Sequence, residues 1–293
     1  MNASYFAYGS NLDLGDWHRW CRTHGFREGL LRPRFAAFLP DRALGFTRAS
    51  TARGGGVLDV VPRRGHLVHG VVCTVEVGGW EALACKEGAP AAYQTFDTDA
   101  LTPDGLAHRV RSFEVVPATR ARFVAPSAAY LDIVRTGYRA QSLAVDALDA
   151  VARDDAQPPH LAAVFTYGTL LRGESRAAAF DDDRHATVAG RVNGRLFDLG
   201  EYPGMLPDPG RAAWVVGEIR SPVDAALLGK LDVIEEFPGY EVEGGLYRRR
   251  IVDVAVPDGG TVRAWTYVVG DAAGAPEITS GDWRAHRRGR ECK

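Results

Sequence analysis

The sequence predicts an α+β protein that contains two copies of one fold. Its 293 residues suggest about two domains. A second observation is a repeated segment, since 5–12 (YFAYGSNL) and 164–171 (VFTYGTLL) both consist of an apolar run followed by Tyr-Gly and a hydroxyl residue. Such a run predicts a buried strand that ends in a tight turn. A third is a short helix in each half that carries a glutamate at the end of its apolar stripe.

Composition limits the class of protein. The hydrophobic fraction is 46%, the charged fraction 25% and the net charge −2, as in ordinary globular proteins and without the basic excess of a nucleic-acid binder. No run reaches the roughly 18 apolar residues of a membrane helix, and the first residues lack the layout of a signal peptide. The four cysteines form no CxxC pair. We expect a cytoplasmic protein with reduced thiols, no metal site, and no membrane or nucleic-acid partner.

The first half contains strands, turns and helices in a recognisable order. Apolar residues at helical spacing predict a short amphipathic helix over 14–21. The segment 36–46 predicts two strands around Pro40-Asp41, and the glycines at 54–56 predict a turn between strands. That triple glycine lacks the GK[ST] continuation of a phosphate-binding loop. Segment 69–75 predicts a further strand.

The helix predicted over 80–88 contains the first candidate catalytic residue. Trp80, Leu83, Ala84 and Glu87 fall at i, i+3, i+4 and i+7, so they share one face. A glutamate carried inward on that face loses water, which raises its pKa and suits it to carry a proton near neutral pH. The alternative is a glutamate that turns to solvent or pairs with an arginine.

The rest of the first half leads to a linker. Segments 92–96 and 109–115 predict strands, and Ser127 is a candidate N-cap for a helix that continues helically over 138–151. The charged and proline-containing segment 152–162 predicts a linker. The predicted domains are therefore 1–151 and 163–293.

The second half repeats the arrangement. Leu228, Leu231 and Glu235 fall at i, i+3 and i+7 of a helix predicted over 224–236, which places Glu235 where Glu87 stands on its own helix. This recurrence favours an inward role for both glutamates, whereas Glu236 should point away. The remaining predicted elements are a strand pair over 186–199, a loop at 200–204, a strand at 214–219, a strand pair at 247–254 and 262–269, and a solvated, frayed basic tail at 284–290.

The ordered motifs resemble the gamma-glutamylcyclotransferase superfamily. In the first half these are Tyr8-Gly9-Ser10-Asn11-Leu12, Gly70-Val71-Val72, Glu87-Gly88 with Tyr93, and Pro126-Ser127 to Tyr130-Leu131. The second half is similar to the gamma-glutamylamine cyclotransferase-like (AIG2-like) branch. Its motifs are Tyr167-Gly168-Thr169-Leu170, Leu231 to Glu235, Tyr247-Arg248-Arg249 and Ala264 to Tyr267.

The resemblance implies a fold and a reaction. Each copy would be a small mixed β-barrel with packed helices, so the fold class is α+β with two tandem barrels. The α-amino group of a γ-glutamyl compound would attack its own side-chain amide and release 5-oxoproline and an amine or amino acid. One carboxylate can serve as base and then as acid, and no metal or cofactor is required.

The resemblance also assigns residues. Glu87 and Glu235 match the catalytic glutamate. The matching substrate-binding residues are Tyr8, Gly9, Ser10, Asn11, Leu12, Tyr93 and Tyr130 in the first half, and Tyr167, Gly168, Thr169 and Leu170 in the second. Phe113, Gln94 and an insertion at 239–246 depart from the pattern, which leaves the leaving amine open.

Three hypotheses follow. The first is a lyase- or transferase-type cyclotransferase acting on a small γ-glutamyl substrate. The second is a protein that binds such a ligand without turnover, with one domain or both catalytically silent. The third is acyl transfer to an amine with the same glutamate as base. Oligomeric state, and whether both domains are active on a shared substrate, stay open.

Overall fold

A computed structural model describes residues 4–155, 161–180, 183–208, 210 and 213–291. Residues 156–160 of the predicted linker and Cys292 lie outside this part of the chain. Two compact units are present, one formed by Met1–Leu101 with His108–Pro158 and the other by Thr102–Ala107 with Pro159–Lys293. Within the described ranges, no helix has the length and apolar character needed to cross a membrane.

Over its described residues, the first unit is a closed barrel of five strands with four α-helices. The strands are β1 (Ser4–Ala7), β2 (Leu31–Ser50), β3 (Gly55–Val75), β4 (Tyr93–Leu101) and β5 (Ala107–Val115), in the order β1-β3-β2-β4-β5. The helices are α1 (Leu14–Thr23), α2 (Gly79–Glu87), α3 (Ala128–Ala140) and α4 (Asp146–Ala152). Strand β1 is antiparallel to β3 and parallel to β5, so the barrel is mixed.

The prediction of two strands around Pro40-Asp41 is wrong, because β2 is continuous. Its pairing with β3 shifts register between Pro40 and Arg42, and Asp41 there takes a φ of 56°. The Asp41 carboxylate accepts a hydrogen bond from the amide of Gly65 on β3, at 2.8 Å. A bulge of this kind bends a strand without reversing it, which lets a long strand follow the wall of a small barrel.

The helix boundaries follow the predicted signals with one exception. Gly88 ends α2 in the left-handed conformation, and the Ser127 hydroxyl caps α3 by accepting from the amide of Tyr130. The predicted continuous helix over 138–151 is wrong, since α3 ends at Ala140 and α4 begins at Asp146. The break occurs because Ser142 takes a φ of 55° and the amide of Leu143 bonds back to the carbonyl of Tyr138, which closes the helix end.

In the part of the second unit that the structure describes, the same mixed arrangement is present with one strand more. Its strands are β6 (Val164–Thr166), β7 (Ala186–Asp198), β8 (Pro203–Pro207), β9 (Trp214–Ser221), β10 (Tyr247–Ala255) and β11 (Thr261–Val269), and its helices are α5 (Ala225–Ile234) and α6 (Trp283–Glu291). The order is β10-β11-β6-β9-β7-β8, and a β10–β7 pairing closes the barrel. Strand β6 is parallel to β11 and antiparallel to β9, as β1 is to its own neighbours. The predicted class, two tandem mixed barrels with packed helices, is confirmed.

Three predictions for this unit differ from the structure. Segment 186–199 forms a single strand, β7, because its turn comes later, at Gly200 with a φ of 97°, and the predicted loop at 200–204 already contains the start of β8. The basic tail is α6, a packed helix whose Trp283 is buried. Three of its arginines pair with carboxylates of the same unit, Arg284 with Glu218, Arg287 with Glu174 and Arg290 with Asp198.

Candidate active sites

The first candidate site lies where β1 ends. Tyr8 and Gly9 follow the strand, and Ser10–Leu12 form a single 3-10 turn. The C-terminal end of α2 brings Glu87 to this turn. The Asn11 side-chain amide donates a hydrogen bond to Glu87 Oε1 at 2.7 Å, and its nitrogen lies 3.0 Å from the Tyr5 hydroxyl. The repeated turn and the predicted carboxylate are therefore in direct contact.

These residues line one small pocket. It encloses about 290 Å³ of open space, and its wall consists of Tyr5, Tyr8, Gly9, Ser10, Asn11, Leu58, Glu87, Tyr93, Phe113 and Tyr130. Half of these residues are aromatic, and apart from hydroxyl groups the polar side chains of the wall are one carboxylate and one amide. Such a lining fits a small ligand with a few polar groups at fixed positions.

The environment of Glu87 combines burial with nearby positive charge. Burial raises the pKa of Glu87 above its ordinary value, while Lys86, the Asn11 amide and Arg53 act in the opposite direction. Arg53 is bound to both carboxylate oxygens of Asp16 at 2.8 and 3.0 Å, and Lys86 reaches Asp16 at 3.0 Å. The pKa of Glu87 is therefore raised overall. The two nearby cations, Arg53 and Lys86, limit this rise only in part, because Asp16 already neutralises some of their charge.

Two tyrosines of this pocket are held in place by backbone carbonyls. The Tyr8 hydroxyl donates to the carbonyl of Phe113 at 2.8 Å, and the Tyr93 hydroxyl donates to that of Leu58 at 2.7 Å. Burial raises the pKa of Tyr8 and Tyr93, and that of Tyr130 to about 12. The hydroxyl groups of these tyrosines are therefore neutral, and the hydrogen bonds of Tyr8 and Tyr93 fix the orientation of their rings before a ligand binds.

The second candidate site has the same construction at the end of β6. Its pocket encloses about 300 Å³ of open space and is lined by Phe165, Thr166, Tyr167, Gly168, Thr169, Leu170, Pro203, Glu235, Tyr247 and Tyr267. Glu235 directly follows α5 and is 6% exposed. Burial raises the pKa of Glu235 to about 7, with Arg176 opposing the shift and Glu236 adding to it. Glu236 itself is exposed, as expected.

One difference between the sites follows directly from sequence. Asn11 of the first turn corresponds to Leu170 in the second, and leucine has no hydrogen-bond donor in its side chain. Within the described part of the chain, no side chain donates a hydrogen bond to the Glu235 carboxylate. Burial therefore dominates the pKa of Glu235, and no side-chain hydrogen bond from the described residues stabilises its ionised form.

The second pocket is supported by a buried polar network. The Tyr167 hydroxyl donates to the carbonyl of Tyr267 at 2.6 Å, and the Tyr267 hydroxyl donates to Asp232 at 2.8 Å. Asp232 also accepts from the fully buried guanidinium of Arg249, at 2.7 and 2.8 Å. The Tyr247 hydroxyl donates to the carbonyl of Pro203 at 2.6 Å.

The structure gathers most of the predicted site residues and separates one. Leu12 does not line the first pocket. It is 1% exposed and packs in the core against Gly137 of α3, so closely that a Cβ added to Gly137 would lie 2.7 Å from the Cβ of Leu12. A 3-10 turn rotates by about a third of a circle per residue, so Leu12 faces away from Ser10 and Asn11. Sequence reasoning did not assign Tyr5, Leu58, Phe113, Phe165, Thr166, Pro203, Tyr247 or Tyr267 to the pockets. Most of these residues belong to strands, where alternation of apolar residues predicts only that a side chain points inward. That pattern does not distinguish the wall of a pocket from the core.

Fold and sites together define a class: a tandem of small mixed barrels, each with a glutamate opposite a strand-end turn, partly buried in the first unit and buried in the second. The sequence profile of a family described as gamma-glutamyl cyclotransferase, AIG2-like, matches residues 164–285. The gamma-glutamylcyclotransferase family protein YtfP of Escherichia coli K12 is 31% identical over 121 residues, which is 41% of this chain and 94% of YtfP. The human gamma-glutamylaminecyclotransferase is 34% identical over 102 residues, 32% of this chain and 62% of that protein.

Among solved structures, one titled gamma-glutamyl cyclotransferase has a TM-score of 0.44 and 22% identity, and covers 54% of this chain and 89% of its own. An AIG2-like protein from Mus musculus has a TM-score of 0.32 and 28% identity, and covers 39% of this chain and 81% of its own. On the sequence matches, the chain belongs to the gamma-glutamylcyclotransferase family, and it is an enzyme of that type.

Proposed function

We propose that each unit cyclises a γ-glutamyl compound to 5-oxoproline and releases the amine. The observation that carries this proposal is that, in both units, a carboxylate lines the same small pocket as a strand-end turn; Glu87 is partly buried and Glu235 is buried. A single group that can accept and then return protons is what the ring closure needs, because the reaction consumes no water and no second substrate.

The proton balance suits one glutamate. The α-nitrogen attacks the γ-carbonyl carbon as the ring C–N bond forms, and the amide C–N bond to the leaving amine breaks. In all, two protons pass from the attacking ammonium to the leaving nitrogen. We assign these transfers to Glu87 in the first unit and Glu235 in the second, each acting as base and then as acid.

The other groups have positioning roles in this proposal. Backbone N–H groups of the Gly9–Asn11 and Gly168–Leu170 turns hold the α-carboxylate of the substrate. The rigid tyrosine walls keep the amine near the carbonyl, which removes much of the entropic barrier to attack. Raised glutamate pKa values favour proton exchange near neutral pH.

The test is 5-oxoproline release from γ-glutamyl compounds with neutral and charged leaving amines. Glu87→Gln with Glu235→Gln should lower kcat by about 100-fold or more, since a positioned acid–base group typically contributes that much. Glu81→Gln and Glu236→Gln are matched controls on exposed glutamates of the same two regions, and both should retain activity. Undiminished 5-oxoproline formation by the double variant would rule out the proposed roles, and a different product would point to acyl transfer.

A further inference from the structure

The segment that follows the second turn folds back onto that turn. The amide of Leu171 donates a hydrogen bond to the carbonyl of Gly168 at 3.0 Å, and the amide of Arg176 donates one to the carbonyl of Thr169 at 2.9 Å. Gly168 and Thr169 both line the second pocket. The backbone of Arg176 is therefore tied directly to the turn that faces Glu235.

The side chain of Arg176 reaches the end of the helix that precedes Glu235. Its Nη1 atom donates a hydrogen bond to the carbonyl of Ile234 at 3.1 Å. Ile234 is the last residue of α5, and Glu235 follows it directly. The last carbonyls of a helix lack intrahelical donors and carry partial negative charge, so a guanidinium is a favourable partner for them. One residue thus joins the turn to the helix end that presents the glutamate.

Helix α6 holds the backbone between the turn and this arginine. Arg287 binds Glu174 at 2.6 Å, and Arg284 binds Glu218 of β9 at 2.8 Å. The other carboxylate oxygen of Glu218 accepts a hydrogen bond from the amide of Arg172 at 2.9 Å, and the carbonyl of Arg172 accepts one from Arg284. The segment just after the turn is therefore fixed at residues 172 and 174.

The charge of Arg176 opposes the effect of burial on Glu235. Burial raises the pKa of Glu235 and the neighbouring Glu236 adds to the rise, whereas Arg176 lowers it. The other titratable side chains that line the second pocket are three tyrosines, Tyr167, Tyr247 and Tyr267. Burial raises the pKa of all three, so they are neutral. Within the described ranges, Arg176 is thus the group that favours the ionised carboxylate.

We propose that Arg176 is a positioning residue of the second site, which fixes Glu235 relative to the substrate turn and supplies the positive charge near its carboxylate. The inference rests on the proposed cyclotransferase function. Arg176 acts through the glutamate, because it is not among the described residues that line the pocket. In the first site, Asn11, Lys86 and Arg53 act on Glu87 in the corresponding way.

The test follows 5-oxoproline release in the Glu87→Gln background, which reports on the second unit. Arg176→Ala and Arg176→Gln both remove the charge, so the rising limb of kcat/KM against pH should move up by about one pH unit, with kcat/KM on that limb about tenfold lower. Arg176→Lys keeps the charge and can still donate to the Ile234 carbonyl, so its limb should lie close to that of the parent. Arg184→Ala removes an exposed arginine of the same unit and should leave the limb unmoved.

A titration of Glu235 tests the inference without relying on turnover. The chemical shift of its side-chain carboxyl carbon is followed by NMR against pH, and the signal is assigned by its loss in Glu235→Gln. The midpoint should rise by about one pH unit in Arg176→Ala and Arg176→Gln and stay near the parent value in Arg176→Lys.

A midpoint that does not move in the two neutral variants, or an equal shift in Arg176→Lys, would overturn the inference while leaving the proposed function intact. If the parent yields no 5-oxoproline from any γ-glutamyl compound, the proposed function fails, and the titration alone decides the role of Arg176. If Arg176→Ala does not fold, Arg176→Gln decides in its place, since it removes the charge and keeps a hydrogen-bond donor.

Discussion

Replacing Glu235 with glutamine should stabilise the second unit, and the gain should grow with pH. Burial raises the pKa of Glu235 from 4.5 to about 7, so the folded state holds this proton more tightly than the unfolded chain does. Folding stability from this group is therefore fully present below about pH 4.5 and is lost as pH rises to about 7. Glutamine has nearly the same shape and no charge to desolvate, so it does not lose this contribution.

The size of the effect follows from the same pKa. Each pH unit between the folded and unfolded pKa values corresponds to about 1.4 kcal/mol. The rise from 4.5 to about 7 then corresponds to about 3 kcal/mol between acidic and alkaline conditions. Glu235 is 6% exposed, so solvent screening reduces this figure little.

The measurement is denaturant-dependent hydrogen exchange of peptides from β10 and β11, which reports the free energy of unfolding of the second unit by itself. Variant and wild type are compared between about pH 5 and about pH 8. Their difference should increase by roughly 2 to 3 kcal/mol over this range. The control Glu236→Gln removes an exposed carboxylate one residue away, and its difference should vary by less than about 0.5 kcal/mol. A Glu235→Gln difference that stays flat, or falls as pH rises, would refute the reasoning.

Three further predictions concern the two sites. In a Glu87→Gln variant, kcat/KM measured by 5-oxoproline release should rise with pH and level off above about 7, where Glu235 is ionised; activity that falls with pH over this range would contradict its role as base. Asn11→Leu removes the donor that stabilises ionised Glu87, so in the Glu235→Gln background the rising limb of the pH–rate profile should move to higher pH, with kcat/KM on that limb about tenfold lower. An unmoved limb with normal melting would show that Asn11 does not tune the carboxylate. Asp232→Ala leaves the buried guanidinium of Arg249 without its carboxylate and should lower the free energy of unfolding by roughly 3 to 5 kcal/mol in urea titrations, whereas a loss below about 1 kcal/mol would mean that the pair contributes little.

The helices that carry the glutamates were predictable because their information is local. Spacing along one helix fixes which side chains share a face, and Leu228, Leu231 and Glu235 are all buried as that spacing requires. Caps are local as well, so Ser127 and Gly88 mark helix ends in the structure as they do in the sequence. The repeated Tyr-Gly turn likewise marks a strand end in both copies.

Strand continuity was less predictable, because it depends on partners far along the chain. Pro40-Asp41 has the composition of a turn. However, β2 pairs with β3 on both sides of this dipeptide, and that pairing keeps β2 extended across it. The basic segment 284–290 has the composition of a solvated tail, yet carboxylates from three separate segments bind its arginines. Propensity is a weak prior where such tertiary contacts compete with it.

The sequence by itself determined the two copies, the α+β class, the two glutamates and the turns that they face, since periodicity and turn chemistry act over a few residues. Only the tertiary structure decided which side chains complete each pocket, because Leu58, Phe113, Pro203 and Tyr247 come from strands brought together by barrel closure. It also placed Leu12 in the core and brought Arg176 to the end of α5, next to Glu235 in the chain. Burial and neighbouring charge set the pKa of each glutamate, and both are properties of the folded barrel.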